Sequence, residues 1–172
     1  MRRDGGPPAG SDEPAWLDRE EAHAWVALAG MLVELPAALD AQLQRDAGIS
    51  HFEYQVLAML SMEPGRTLLM TRLAALASGS LTRLSRVVDR LDKRGWVCRQ
   101  PDPTDGRSTL AVLTDAGWEK VVETAPGHVA EVRRLIFDPL TGGQVRQLHD
   151  IGKRVLQAMG TDGLAPPRNL TP

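Results

Sequence analysis

The apolar residues of this chain switch period at one place, and that switch limits the folds open to it. From residue 15 to about residue 94 they recur every three or four positions, the spacing of helices with one buried face. Trp96-Val97-Cys98-Arg99-Gln100 and Thr109-Leu110-Ala111-Val112-Leu113 then read as two short strands. Pro101 to Ser108, which joins them, is rich in turn formers, so the pair is a β-hairpin with a long polar tip. Helical spacing returns after Thr114. With 172 residues the chain suffices for one ordinary domain, or a small domain with helical extensions.

Local signals place the helices. Trp25, Leu28, Leu32, Leu35, Leu39 and Leu43 form the stripe of a first helix over residues 15–46, which Pro36 should kink or split and Gly48 should end. Ser50-His51-Phe52-Glu53 is a capping box that opens a second helix, closed by Pro64-Gly65. Thr67 is expected to cap a short third helix with Leu69, Leu73 and Leu76 inward. Ser78 or Ser80 caps a fourth, which Gly95 stops. After the hairpin, Thr114 caps a helix running to about residue 138, with a weak point at Pro126-Gly127, and Thr141 caps the last. The order is helix, helix, helix, helix, hairpin, helix, helix. The predicted fold class is mainly α (α+β): a winged helix-turn-helix with long N- and C-terminal helices.

The fourth helix carries the chemistry. At 100° per residue, Leu81, Leu84, Val88 and Leu91 share one face, while Thr82, Arg83, Arg86, Arg90 and Lys93 lie opposite. An arginine can donate two parallel hydrogen bonds to a guanine edge, and Ser or Thr can reach bases or phosphates. The start of the helix at Ser80 points free N–H groups at phosphate. Ser80, Thr82, Arg83, Arg86, Arg90 and Lys93 are therefore the candidate DNA-binding residues, joined by Arg107 on the hairpin tip, where a lone Arg suits the narrow minor groove. Asp105 would be repelled by DNA and is expected to hold Arg107, or an Arg of the fourth helix such as Arg90. Residues 66–120 hold ten Lys and Arg against six Asp and Glu, a local excess of four positive charges in a chain of net charge −2.

The outer helices predict a partner. A helix of about 30 residues is roughly 45 Å long, more than a winged domain of about 65 residues can cover. The stripes from Leu28 to Leu43 and through Val145, Leu148, Ile151, Val155 and Met159 would stay wet in a monomer. A symmetric homodimer follows, placing two recognition helices about one turn, roughly 34 Å, apart on a pseudo-palindromic operator of double-stranded DNA. The expected organisation is a disordered arm at 1–14, an N-terminal dimerisation helix at 15–48, a winged helix-turn-helix DNA-binding domain at 49–117, C-terminal dimerisation helices at 118–160 and a disordered tail at 161–172.

Asp102-Pro103-Thr104-Asp105-Gly106-Arg107-Ser108 through Leu113-Thr114-Asp115-Ala116-Gly117 resembles the wing signature of the MarR (multiple antibiotic resistance regulator) family. Leu84-Ser85-Arg86-Val87-Val88-Asp89-Arg90-Leu91 and Arg94-Gly95-Trp96-Val97 resemble it too, and the likeness extends over about residues 16–158. The resemblance implies a dimeric DNA-binding repressor, or occasionally an activator, released by a small phenolic or other aromatic ligand. It also implies an effector cleft between dimerisation helices and winged domain, for which His23, Trp25, His51 and Tyr54 are the candidates by position. Two features depart from the family pattern: Gly106 stands where many members carry a basic residue, and Pro36 interrupts the first helix.

Other functions find little footing. No apolar run reaches the roughly 18 residues of a membrane span, so no membrane partner is expected. The N-terminus lacks the apolar core of a secretory signal, and the single cysteine, Cys98, fits a reducing cytoplasm and a structural role. Aromatic residues are 4% of the chain, too few for single-strand stacking platforms. His23, His51, His128 and His149 lack metal-ligand spacing. No nucleophile elbow, phosphate loop or zinc-hydrolase motif occurs, so neither an enzyme nor a cofactor is expected. The alternative left open is a dimeric winged-helix protein-interaction module without DNA binding.

Overall fold

The computed structural model describes residues 14–77 and 79–160. The expected arm (save Pro14), the expected tail and Ser78 as a cap lie outside the described residues. Among the described residues, six α-helices and three strands follow one another as α1 (Arg19–Ala47), α2 (His51–Met62), β1 (Thr67–Leu69), α3 (Met70–Leu76), α4 (Leu81–Lys93), β2 (Val97–Pro101), β3 (Thr109–Leu113), α5 (Asp115–Val132) and α6 (Gly142–Ala158). Two compact units are distinguished, one ending at Glu34 and one beginning at Leu35.

In the second unit the caps do what their chemistry allows. The Ser50 hydroxyl accepts the Glu53 amide N–H at 3.2 Å, and the Glu53 carboxylate accepts the Ser50 N–H at 2.8 Å, so α2 starts with two of its free donors satisfied. Asp40 of α1 accepts a third, the His51 N–H, at 2.7 Å. Thr141 and Gln144 form a second capping box at α6, while Ser80 and Thr114 each accept one backbone N–H, from Arg83 at α4 and Gly117 at α5.

Thr67 does not cap a helix. It opens β1, whose three residues pair antiparallel with β3, Thr67 opposite Val112 and Leu69 opposite Leu110. Helix α3 begins later, at Met70, with no side-chain cap. A three-residue strand has no period of its own to read; its partner more than forty residues away creates it. The sheet order is β1-β3-β2, with Val97 opposite Leu113 and Pro101 opposite Thr109 in the hairpin. Pro36 does not split α1, which runs on to Ala47. Burial of Leu39, Gln42 and Leu43 fixes the helix beyond the proline. Pro126 likewise sits inside α5, and the irregularity comes later, as a π-helical turn over Arg133–Phe137.

The core gathers Leu43 of α1, Leu57 and Leu60 of α2, Leu73 of α3, and Leu84 and Leu91 of α4, all without exposed surface. Val97, Ala111 and Leu113 close it from the sheet. Two glycines are geometric necessities. Gly95 ends α4 at φ +72°, and a Cβ on Gly117 would strike the Trp96 carbonyl, where α5 starts against the root of the hairpin.

Two stretches stay uncovered. In α6 no residue is buried, and Leu148, Ile151, Val155 and Met159 are exposed. In the first unit Trp16, Leu17, Trp25, Val26, Leu32 and Val33 are exposed. By length and composition α1 is also apolar enough to cross a membrane, with a mean hydropathy of 1.5 over its best stretch. This corrects the expectation of no sufficient run. Counting unbroken apolar residues stops at Glu34, whereas the average across it stays high.

Candidate nucleic-acid interface

Helix α4 separates its faces sharply. Leu84, Val87, Val88 and Leu91 are buried, while Thr82, Arg83, Arg86, Arg90 and Lys93 are exposed. Leu81, expected on the apolar face, is 48% exposed because the first turn projects beyond the core. The Ser80 hydroxyl accepts the Arg83 N–H at 3.2 Å and is thereby committed to the cap.

The arginines are not equivalent. The Arg83 guanidinium lies 4.2 Å above the centre of the Phe52 ring, a stacked cation that is held without losing its N–H donors. Arg90 Nε donates to Glu53 Oε1 at 2.9 Å, so the carboxylate that holds this arginine comes from α2 and not from Asp105. Glu53 is a buried acid. Burial alone pushes its carboxyl up, but the Ser50 N–H, the Arg90 guanidinium and the Ser50 hydroxyl outweigh burial and hold it below its ordinary value. The side chains of Arg86 and Lys93 have no hydrogen-bond or ion-pair partner among the described residues. These two cations are free to meet an anion.

The wing tip is held by its own acids. Asp102 accepts the backbone N–H and the hydroxyl of Thr104 at 2.8 and 2.7 Å. Asp105 accepts the Arg107 N–H at 3.1 Å and the Ser108 hydroxyl at 2.9 Å. Asp105 thus fixes the backbone beneath Arg107 and leaves the Arg107 guanidinium unpaired among the described residues. Between α4, the first turn of α2 and Pro36 to Asp40 runs a groove of about 980 Å³, lined on one side by Arg83, Arg86 and Arg90.

The effector candidates divide. His51 and Tyr54 share a cluster with His128 of α5, whose ring centre lies 5.9 Å from that of His51 and 4.6 Å from that of Tyr54. Burial pushes both imidazoles down; Asp40 opposes this at His51, and His51 adds to it at His128. Burial raises the Tyr54 hydroxyl. His128 Nδ1 is buried and has no partner, as are Gln42 Oε1 and Thr124 Oγ1. His23 and Trp25 are exposed on α1, in the unit ending at Glu34. Sequence reading gave neither His128 nor Glu53 a role in the site. The signal for Glu53 was present, since an acid at the third position of a capped helix was already named; only its arginine was hidden by distance along the chain. No group of three metal-ligating side chains occurs among the described residues.

A model of the MarR family matches residues 47–108. The HTH-type transcriptional regulator MhqR of Bacillus subtilis (strain 168) is 36% identical over 80 residues, 46% of this chain and 52% of that regulator. The chain therefore spans about half the length of that curated relative. Among solved structures, Sco3205 of Streptomyces coelicolor, a MarR family transcriptional regulator determined in complex with DNA, superposes with a TM-score of 0.80 at 44% identity, covering 84% of this chain and 94% of that one. AbsC, a MarR family regulator from the same organism, gives a TM-score of 0.80 at 31% identity, over 86% of this chain and 99% of that one. With a relative this similar matched over nearly its whole length, the chain belongs to the MarR family of transcriptional regulators.

Proposed function

We propose that this chain is a homodimeric repressor that binds a pseudo-palindromic operator in double-stranded DNA and is released by a small aromatic or phenolic ligand. The observation that carries the DNA reading is the outward face of α4. Its seam is buried, while Arg86 and Lys93 stand unpaired on the other side and Arg107 stands unpaired at the wing tip. Arg86 has the reach and fork geometry to read a guanine edge. Arg107 suits the minor groove, and Thr82, Arg83 and Lys93 the flanking backbone. Arg90, tied to Glu53, orients the surface more than it reads it. That Sco3205 was determined in complex with DNA supports the DNA-binding reading of the chain as a whole.

The dimer reading rests on the exposed apolar faces of α6 and of the first part of α1. A second copy accounts for both exposed faces, whereas a membrane span would account for α1 alone. We assign His23 and Trp25 to this interface between copies. For the ligand, His51, Tyr54 and His128 supply aromatic walls, and the unpartnered His128 nitrogen supplies a polar anchor for a phenolic group.

A gel shift with the DNA upstream of the chain's own coding region tests the reading. The expected result is a discrete complex, dissolved by one of a panel of aromatic acids. Failure to retard this DNA or any duplex selected from a randomised pool would leave the protein-interaction alternative in its place.

A further inference from the structure

One arginine that plays no part in the DNA-facing surface ties that surface together. Arg99 lies on β2 opposite Ala111, on the same side of the strand as Val97. Val97 and Ala111 are buried, whereas Arg99, on the edge strand, is exposed. Its guanidinium turns back onto α4 instead of into solvent. Nη2 donates to the Ser85 carbonyl oxygen at 2.9 Å and lies 3.0 Å from the Ser85 hydroxyl and 2.8 Å from Asp89 Oδ1. Ser85 and Asp89 are one turn apart on α4, on the flank beside Arg86 and Arg90.

Beyond Val97, these are the only polar side-chain bonds between the wing strands and α4 among the described residues. Strand β1 pairs β3 only as far as Leu110, opposite Gln100, so beyond that level the wing is a two-stranded hairpin, which is marginal by itself. At the root of the wing the Trp96 N–H is held by the Leu91 carbonyl, and Arg99 makes the outermost tie from the wing to α4 among the described residues. We propose that Arg99 is a positioning residue: it locks the wing to α4 at one angle, so that Arg107 and Arg86 meet a single duplex as one rigid surface. The proposal rests on the DNA-binding reading above. An exposed ion pair adds little to stability, so the role is geometrical. All three contacts fall on Nη2, whose two N–H groups they share, and the planar guanidinium fixes the direction of those donors.

The test uses the full chain and a labelled duplex selected by it from a randomised pool, titrated by fluorescence anisotropy at several salt concentrations. Arg99→Met keeps the stem and removes the donors. It should weaken binding about tenfold while leaving the melting temperature nearly unchanged. The dependence of affinity on salt should keep its slope, because the Arg99 charge neutralises Asp89 and not a phosphate. Arg107→Ala should also weaken binding, and adding Arg99→Met to it should cost little more, since the wing has then already lost its contact. Asp89→Asn, which cuts the same tie from the helix side, should reproduce the effect in part. A slope reduced by about one would show that Arg99 itself contacts phosphate and would overturn the inference. So would unchanged affinity, or losses from Arg99→Met and Arg107→Ala that simply add. If the unaltered chain selects no duplex, the DNA reading fails and takes this inference with it.

Discussion

Helices α4 and α6 are both amphipathic and of similar length, yet they finish differently. In α4 the apolar seam is buried by α2, α3 and the sheet, and the charged face is left outside. In α6 no residue is buried, and Ile151 on its apolar stripe is 59% exposed. One chain therefore completes the reading head and leaves the outer helix unfinished. An amphipathic pattern states that a face will be covered; it does not state by what.

The largest effect that tests this contrast is on stability. Leu91→Ala should cost about 2–5 kcal/mol in urea unfolding, as for any large core side chain. Ile151→Ala should cost far less per chain, and its loss should grow with protein concentration if a second copy covers that face. Equal costs at all concentrations would erase the distinction between the two helices. Next in size is the chemistry of the α4 surface. Arg86→Ala should weaken duplex affinity by about 1–3 kcal/mol and relax the preference for one base pair. Affinity and preference both unchanged in an anisotropy titration would remove Arg86 from the reading surface.

The smallest effect concerns the ring cluster between α2 and α5. Burial holds the His51 and His128 pKa values below the ordinary 6.5. Below that value the unfolded chain binds protons that the folded chain resists, so stability is complete above it and falls as pH drops through it. Melting temperature should decline from about pH 7.5 to about pH 5.5, and the double substitution His51→Gln, His128→Gln should flatten the decline. Glu53, held low, is lost only at more acid pH, below its ordinary 4.5. A flat profile in the intact protein across the upper window would contradict the burial of the two rings.

What could be read in the sequence was local. Ser50 and Glu53, the Ser80 cap, Gly95 and the turn formers from Pro101 to Ser108 act within a few residues, and their spacing is enough to place α2, α4 and the hairpin. What escaped depends on residues brought together from far apart. Strand β1 exists because Val112 and Leu110 lie beside it. Arg90 looked like one more exposed arginine until Glu53, 37 positions away, proved to hold it. His128 joined His51 and Tyr54 only through the packing of α5 on α2. Pro36 does not split α1, since a helix anchored by Leu39 and Leu43 can carry a proline that an isolated one could not.

Hydroxyl-radical footprinting of the selected duplex, with the mass of the complex measured alongside, addresses the paired reading head most directly. Two chains per duplex, with two protected patches about one helical turn apart on the same side of the DNA, is the predicted result. One chain bound, with a single protected patch, would contradict it.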